Sequence, residues 1–455
     1  MTILVLMADA IGHINGTYNF CQKLQAHGAR IVYGVRPQML ASIQAQGFEG
    51  VVSNNEFFFK RGGLGLQQGS WLEKLSENFA DILTHEKEKF AQAIAQQLDQ
   101  LITQLNPDVV LLDSFLSYNY FLLNLKSKRV FLIQTMLSTV KRKSVPPLYS
   151  RLSIDTSDWL KSLSLQWGRL KNKWQRLITL ERGVLKTVLR IAGDQKSEIL
   201  AALDTMRSFR PGIKGLPEII MAPQAFDLPE FGQAQEQYYA GTQLNHDRIE
   251  VELSKNELEL LRKMDAQKDQ KWVYCSLGTL NLLHNPKCLH FLEQVLEVFR
   301  QKPEWNLVLT TGMIETRQLG KVSDNVLIYK KLPQLEVLKR CQAIITHGGL
   351  NSVLEAIDHK VPLLVYPLNE RWDQNGNAAR VKYYGVGLRG RMQNAQAGQI
   401  LKQLDLLLSG EVYRKNLQLL KQKIGAENGM ESILEMIFGG NYSKTKLKIA
   451  VAIKE

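Results

Sequence analysis

Two residues far apart in the chain carry the chemistry of proton transfer. His13 stands in "ADAIGHINGTYNF", just after the apolar run "TILVLMA". An imidazole titrates near neutral pH and can take a proton from a hydroxyl. It then needs a partner that fixes its tautomer and balances the charge that appears. Asp113 closes the apolar run of "PDVVLLDSF", where a carboxylate could reach His13 from a neighbouring strand. Taken alone, His13 would read as a capping or packing histidine of a tight loop. His27, beside Gly28 near the end of the first helical stretch, reads as a helix-terminal residue with no catalytic role.

A second cluster runs from Ile345 to Val381, "ITHGGLNSVLEAIDHKVPLLVYPLNERWDQNGNAARV". A strand ends at Thr346, His347 and two glycines make a turn, and a helix begins near Asn351. Glycine lets the backbone approach a ligand closely, and a helix start offers free N–H groups and partial positive charge, so phosphate is the natural guest. His347, Gly349, Asn351 and Ser352 are the candidate contacts; the alternative is that Asn351 or Ser352 merely caps the helix. Glu355 lies one turn further on the same face and could accept from a ribose diol. Asp373 and Gln374 follow the apolar run "VPLLVYP", at the edge where open α/β sheets bind ligands, and suit sugar hydroxyls. Each of these three could instead be an ordinary solvated surface residue.

The elements that must position these residues alternate between short apolar runs and helical spacing. "TILVLMA", "RIVYGV", "PDVVLLDSF", "RVFLIQT", "EIIMAP" and "YYAGTQL" read as strands of a first parallel sheet, and residues 155–204 as basic and helical. "KWVYCSLGT", "WNLVLTTG", "NVLIYKKL", "AIITHGG" and "VPLLVYP" read as a second sheet. The fold expected is α/β, two doubly wound halves. Their bounds are 1–243 and 244–425, with a linker near Asn245–Asp247 and a last helix in 426–455.

The 455 residues suit two domains, and the 45% hydrophobic content is enough for ample cores. Cys21, Cys275, Cys288 and Cys341 show no paired spacing, which argues against a disulfide framework or zinc site and fits a reducing cytoplasm. The start "MTILVLMADA" lacks a basic leader, and no apolar stretch reaches membrane-span length, so a cytoplasmic location is expected. Net charge is +13, concentrated between residues 141 and 215, where 16 Lys/Arg face 6 Asp/Glu. Nothing resembles a zinc finger or an RNP motif, so no nucleic-acid partner is expected. In that segment Trp159, Leu163, Trp167, Leu170, Trp174 and Leu177 recur at helical spacing. Such a stripe usually packs on a core, and its alternative use is peripheral contact with an anionic membrane.

The order Pro333-Gln334, His347-Gly-Gly, Asn351-Ser352, Glu355, Val361-Pro362, Pro367, Asp373-Gln374-x-x-Asn377-Ala378 resembles the donor-binding signature of the family-one nucleotide-sugar glycosyltransferases, the UDP-glucuronosyl and UDP-glucosyl type with the GT-B fold. The resemblance implies that Pro333 and Gln334 belong to the donor site. It implies that His347, Asn351 and Ser352 contact a diphosphate, Glu355 a ribose, and Asp373 and Gln374 the sugar. "YCSLGT" is similar to the family's phosphate loop, with Gly278 and Thr279 the expected contacts. Lys331 stands where plant members carry a base-stacking Trp, which leaves the nucleobase open. The start of the chain is similar to the family's Gly-His-x-Asn-Pro, with Gly16 in place of Pro.

The implied activity is inverting transfer of a hexose by the His13–Asp113 dyad, with UDP-glucose as co-substrate, no bound cofactor and, lacking an Asp-x-Asp motif, no required metal. The last helix is expected to cross back to the first domain. The expected acceptor is a small hydrophobic or phenolic alcohol. Phe57, Phe58 and Phe59 in "NNEFFFKRGGLGL", with Phe115 and Tyr118, are its candidate contacts. A membrane-lipid or carotenoid acceptor, or a sugar-nucleotide-binding protein without transfer activity, are the competing readings. A monomer is expected.

Overall fold

The computed structural model describes residues 1–53, 86–122, 128–142, 145–157, 159–161, 163, 166, 185, 188–190, 192–205, 207–209, 211–228, 236–244, 253–278, 286–312, 319, 322–369 and 372–439. Seven strands form the first sheet: β1 (Thr2–Leu6), β2 (Arg30–Val35), β3 (Glu49–Val52), β4 (Val109–Asp113), β5 (Arg129–Gln134), β8 (Glu218–Ile220) and β9 (Gln237–Tyr239). The intervening β6 (Leu203–Asp204) and β7 (Gly212–Ile213) make a separate small antiparallel ribbon. The second sheet holds β10 (Lys271–Ser276), β11 (Trp305–Thr310), β12 (Val326–Tyr329), β13 (Ala343–Thr346), β14 (Leu363–Val365) and β15 (Gly387–Arg389). Every pairing in both large sheets is parallel.

The central strands are buried on both faces, and so their sequences are continuous apolar runs rather than alternating ones. All five residues of β4, "VVLLD", are buried, and Trp272 to Ser276 of β10 likewise. The β1, β2, β4, β5, β8 and β9 runs and those of β10 to β14 fall where apolar patterning predicts them. The two-residue strands of the ribbon are too short to carry a pattern, and β3 and β15, edge strands only partly buried, form no continuous apolar run.

Strand order fixes where a ligand can sit. The first sheet runs β3-β2-β1-β4-β5-β8-β9, so the chain reverses its direction of winding between β1 and β4. The second runs β12-β11-β10-β13-β14-β15 and reverses between β10 and β13. At each reversal, crossover helices leave to opposite faces and open a crevice at the carboxyl ends of the two strands. His13 and Asp113 follow β1 and end β4; Gly278 and His347 follow β10 and β13.

The two halves meet through a continuous apolar cluster that includes Ala8, Phe115, Met136 and Leu148 together with Leu350, Val365 and Ala378. A buried ion pair crosses the same boundary: the Arg380 guanidinium donates to Asp227 Oδ1, while the Tyr239 hydroxyl donates to Asp227 Oδ2 at 2.6 Å. The helix Gly429–Phe438 buries Ile433 and Ile437 in the core of the first sheet, beside Val5, Phe20 and Phe131. Arg129, at the start of β5, donates to the carbonyls of Met436 and Ile437 at that helix's end. The Glu427 carboxylate accepts from the backbone N–H groups of Gln224 and Ala225. The linker expected at Asn245–Asp247 lies outside the described residues. No described helix is long and apolar enough to cross a membrane.

Candidate active site

His13 sits on a single helical turn, Ile11–Asn15, that leaves β1. Its Nδ1 lies 2.7 Å from Asp113 Oδ2. Asp113 is fully buried, and its carboxylate is locked: Oδ2 also accepts from Ala8 N–H at 3.1 Å and Oδ1 from Phe115 N–H at 2.9 Å. An acceptor-only carboxylate requires the neutral imidazole to carry its proton on Nδ1, which leaves the Nε2 lone pair as the base. Thr135 Oγ1, just past β5, lies 3.1 Å from the same Nδ1. Phe115 presents an edge-on ring 4.9 Å from the imidazole, and Trp372 from the second half stacks on Phe115 at 5.8 Å.

The donor half is built round close backbone approach. Gly278 has φ +79°, and a Cβ there would come within 2.5 Å of His347 Cε1; one on Gly349 would come within 2.8 Å of His347 Nε2. Gly348 has φ +87° and would meet Val365 at 2.7 Å. The imidazole of His347 is thus packed between two glycines, and burial pushes its pKa down to about 4, so it is neutral at physiological pH. Its Nδ1 is buried and has no partner among the described residues. The helix Leu350–Asp358 starts at Gly349 with no side-chain cap, so Asn351 and Ser352 do not cap it and its first N–H groups stay available.

Gln334 links the other donor candidates. It follows Pro333, the residue before the helix Gln334–Leu338, and its side-chain amide donates to Ser352 Oγ at 3.1 Å and to the Glu355 carboxylate. Asp373 is half-buried, and its desolvation raises its carboxyl above the usual range against the opposing effect of the Asn377 amide. Asn377 donates at 2.9 Å both to Asp373 Oδ2 and to the Gly348 carbonyl, tying the glycine turn to the second acidic residue. Gln374 Oε1 accepts from the N–H groups of Leu368 and Asn369 at 2.8 and 2.9 Å. Half of that amide is therefore spent on holding its own loop, and only its NH2 group is left for a ligand. Across the cleft, Asn351 Nδ2 reaches the Gly12 carbonyl at 3.5 Å, which sets the helix start beside the His13 turn.

The structure thus brings together His13, Asp113 and Phe115, and on the facing side Gly278, Gln334, His347, Gly349, Asn351, Ser352, Glu355, Asp373 and Gln374. Tyr118 does not join them: it is buried in a core cluster with Leu112, Leu116 and Phe121 behind the sheet. Thr279 and Phe57, Phe58 and Phe59 lie outside the described residues, as do Trp167, Leu170, Trp174 and Leu177 of the basic stripe. Thr135, Trp372 and Asn377 received no role from the sequence. The signal for Thr135 was its place at the end of "RVFLIQT", and for Trp372 its place beside Asp373.

Two parallel, doubly wound sheets that face one another with a His–Asp pair on one lip and an open helix start on the other define the GT-B glycosyltransferase architecture. Solved structures agree: the chain aligns over 96% of its length with the glycosyltransferase of kitacinnamycin (TM-score 0.67, 20% identity, 97% of that chain). It also aligns with the glycosyltransferase VinC in complex with dTDP (TM-score 0.58, 18% identity, 98% of that chain). Residues 249–438 match the family model described as UDP-glucoronosyl and UDP-glucosyl transferase. NDP-glycosyltransferase YjiC of Bacillus subtilis (strain 168) is 24% identical over 388 residues, 85% of this chain and 83% of that protein. The uncharacterized UDP-glucosyltransferase YdhE of the same organism is 33% identical over 176 residues, 38% of this chain and 42% of that protein. The family model, the curated relatives and the solved structures together support a family-one glycosyltransferase with a nucleotide-sugar donor.

Proposed function

We propose that the chain is an inverting transferase that moves a hexose, with glucose the first candidate, from a UDP-sugar to a hydroxyl of a small hydrophobic or phenolic acceptor. His13 Nε2 takes the acceptor's proton. The oxygen attacks the anomeric carbon from the face opposite the diphosphate, the bond to the diphosphate oxygen breaks, and configuration inverts. Asp113 holds the tautomer and balances the imidazolium. The leaving diphosphate's charge falls on the open helix start after His347, whose N–H groups are already oriented and need no rearrangement. Asp373 and the free amide end of Gln374 hold sugar hydroxyls, and Phe115 with Trp372 gives the acceptor an apolar wall.

The observation that carries this reading is the 2.7 Å His13–Asp113 contact beside an uncapped helix start. General-base assistance of this kind contributes roughly 10²–10⁴-fold. The test is product formation from a panel of nucleotide sugars and phenols, read by mass spectrometry, with His13→Ala alongside. A sugar-adduct mass with wild type that nearly vanishes in the variant supports the reading. No adduct, together with no thermal shift from any nucleotide sugar, refutes it.

A lipid acceptor is the second reading. Trp159 and Leu163, in the basic segment, are 66% and 56% exposed. Failure to co-sediment with anionic liposomes at low salt would remove it.

A further inference from the structure

The residues assigned to the donor sugar stand at the start of the helix Gln374–Tyr383, in the second half of the chain, yet that helix is fastened to the first half. The side chain of Asp373, the residue before it, caps none of its first N–H groups. The Gly376 N–H donates instead to the carbonyl of Leu148 at 2.6 Å. Further along, the Arg380 guanidinium donates to Asp227 Oδ1, and the hydroxyl of Tyr384, one residue past the helix, donates to the Asp227 carbonyl at 2.5 Å. Leu148 and Asp227 both belong to the first half.

Local structure explains why the Leu148 carbonyl is available. Pro146 and Pro147 precede it, and the Ser150 N–H donates to the Pro147 carbonyl at 2.7 Å, which closes a turn over residues 147–150. The turn uses the carbonyl of Pro147, and that of Leu148 points out of it to the helix. The same stretch has a second tie: the Arg389 guanidinium donates to the Arg151 carbonyl at 3.0 Å and to Asn375 Oδ1 at 2.9 Å.

Gly376 shows how close the approach is. A Cβ there would lie 2.7 Å from the Leu148 Cα, Cδ2 and carbonyl oxygen, and two of those three are backbone atoms. Glycine is a poor helix residue beside alanine, so its place in the first turn of this helix follows from the segment that lies on it. Gln374 and Asp373 are its near neighbours in the chain, and Asn377, the next residue, donates to Asp373 Oδ2.

We propose that the first-half turn 147–150 positions the donor sugar: by holding Gly376 it sets where Asp373 and the Gln374 amide stand relative to His13, which the same half carries. Gly376 and Leu148 are positioning residues that act through Asp373 and Gln374. The proposal rests on the transfer reading in taking those two side chains as the sugar's contacts. The diphosphate is assigned to a different helix start, at Gly349, so nucleotide and sugar should respond differently.

The test compares Gly376→Ala and Pro147→Gly with wild type in the full chain. Calorimetry gives UDP affinity, and initial rates give kcat/KM for UDP-glucose and UDP-galactose, which differ at one hydroxyl. Gly376→Ala should lower kcat/KM for the better sugar by about tenfold or more and narrow the ratio between the two, while UDP affinity changes by no more than about twofold. Pro147→Gly loosens the turn without touching the helix and should act in the same direction. The double variant should lose less than the product of the two, since both break one contact. UDP affinity that falls as far as kcat/KM, or a sugar ratio unchanged in both variants, would overturn the proposal. Hydrogen exchange without substrate reads the contact itself: the peptide covering Gln374–Tyr383 should exchange severalfold faster in Pro147→Gly, and the one covering Leu350–Asp358 should not. Equal exchange in Pro147→Gly and wild type would overturn the proposal even where Gly376→Ala fails to fold. If wild type transfers sugar from no donor, the transfer reading itself fails and the sugar assignment falls with it, whatever the exchange shows.

Discussion

Asp113→Asn gives the sharpest test of the proposed dyad, because it changes one atom in a fully buried, fully bonded group. Three N–H groups converge on the carboxylate: His13 Nδ1 at 2.7 Å, Ala8 N–H at 3.1 Å and Phe115 N–H at 2.9 Å. An asparagine can present oxygen to only one side. If the oxygen keeps the two bonds on the His13 side, its NH2 opposes Phe115 N–H. If it keeps Phe115, the NH2 faces His13 and forces the proton to Nε2, which removes the base. Either way the charge that forms on the imidazole loses its counter-ion. Two charges about 4 Å apart at an effective dielectric near 20 interact by about 4 kcal/mol, or roughly 10³-fold in rate. The wrong tautomer can add to that, so kcat should fall on the order of 10³–10⁴-fold. Donor affinity should not change, because the carboxylate's bonds go to His13, Ala8 and Phe115 and not to the donor-side residues. The assay is initial rate of nucleotide diphosphate release, with donor binding by calorimetry and a thermal melt as the fold control. A folded variant that keeps more than a tenth of wild-type kcat would refute the reasoning. So would a double variant with His13→Ala that is much slower than His13→Ala alone, since a positioning residue has nothing left to position.

Gly278→Ala places a methyl against the His347 ring at a φ of +79°, so donor affinity should drop by about tenfold or more, checked by calorimetry with UDP. Removing one partner of a buried ion pair strands the other, so Arg380→Met should destabilise by about 3–5 kcal/mol in denaturant unfolding. Burial alone would raise the Asp227 carboxyl, but Arg380, the Tyr239 hydroxyl and Arg142 hold it below its ordinary value. Its contribution is therefore present above the unfolded carboxylate pKa and lost as pH falls through the lower folded value. The wild type should lose stability on that acid side, and Arg380→Met should lose less there. His347 gives a loss in the same direction for a different reason: burial disfavours its charged form, its folded pKa of about 4 lies below the unfolded one, and the unfolded chain binds the extra proton. Stability should fall as pH drops from about 6.5 towards 4, and His347→Asn should flatten that slope in denaturant titrations at stepped pH.

Much of the fold was legible because local pattern and burial coincide. A strand covered on both faces must be apolar throughout, and β4 or β13 announces itself as such a run. The donor turn was legible for a related reason: strand, His-Gly-Gly, helix and the acids beyond are one continuous stretch whose spacing fixes faces and turns. The edge strands β3 and β15 were not legible, since they are only partly buried and form no continuous apolar run. Tyr118 was misplaced because a residue just after a strand can turn to either face. The sequence also left open whether Asn351 and Ser352 cap their helix, and only coordinates could decide it.

What the sequence determined by itself, then, is the set of elements and the residue types at their carboxyl ends. Which ends meet was decided by the tertiary structure. His13 and Asp113 touch across 100 positions because β4, and not β3, lies beside β1. Thr135 joins them because β5 comes next in the sheet, and Asn351 reaches Gly12 across 339 positions because the halves close on each other. Neighbour order in a parallel sheet depends on how crossover helices pack on its two faces, and nothing local to a strand encodes it. One surface cavity is the extreme case: Arg151, Lys287, Arg389 and Arg391 line it from three separate stretches, and only packing brings them together.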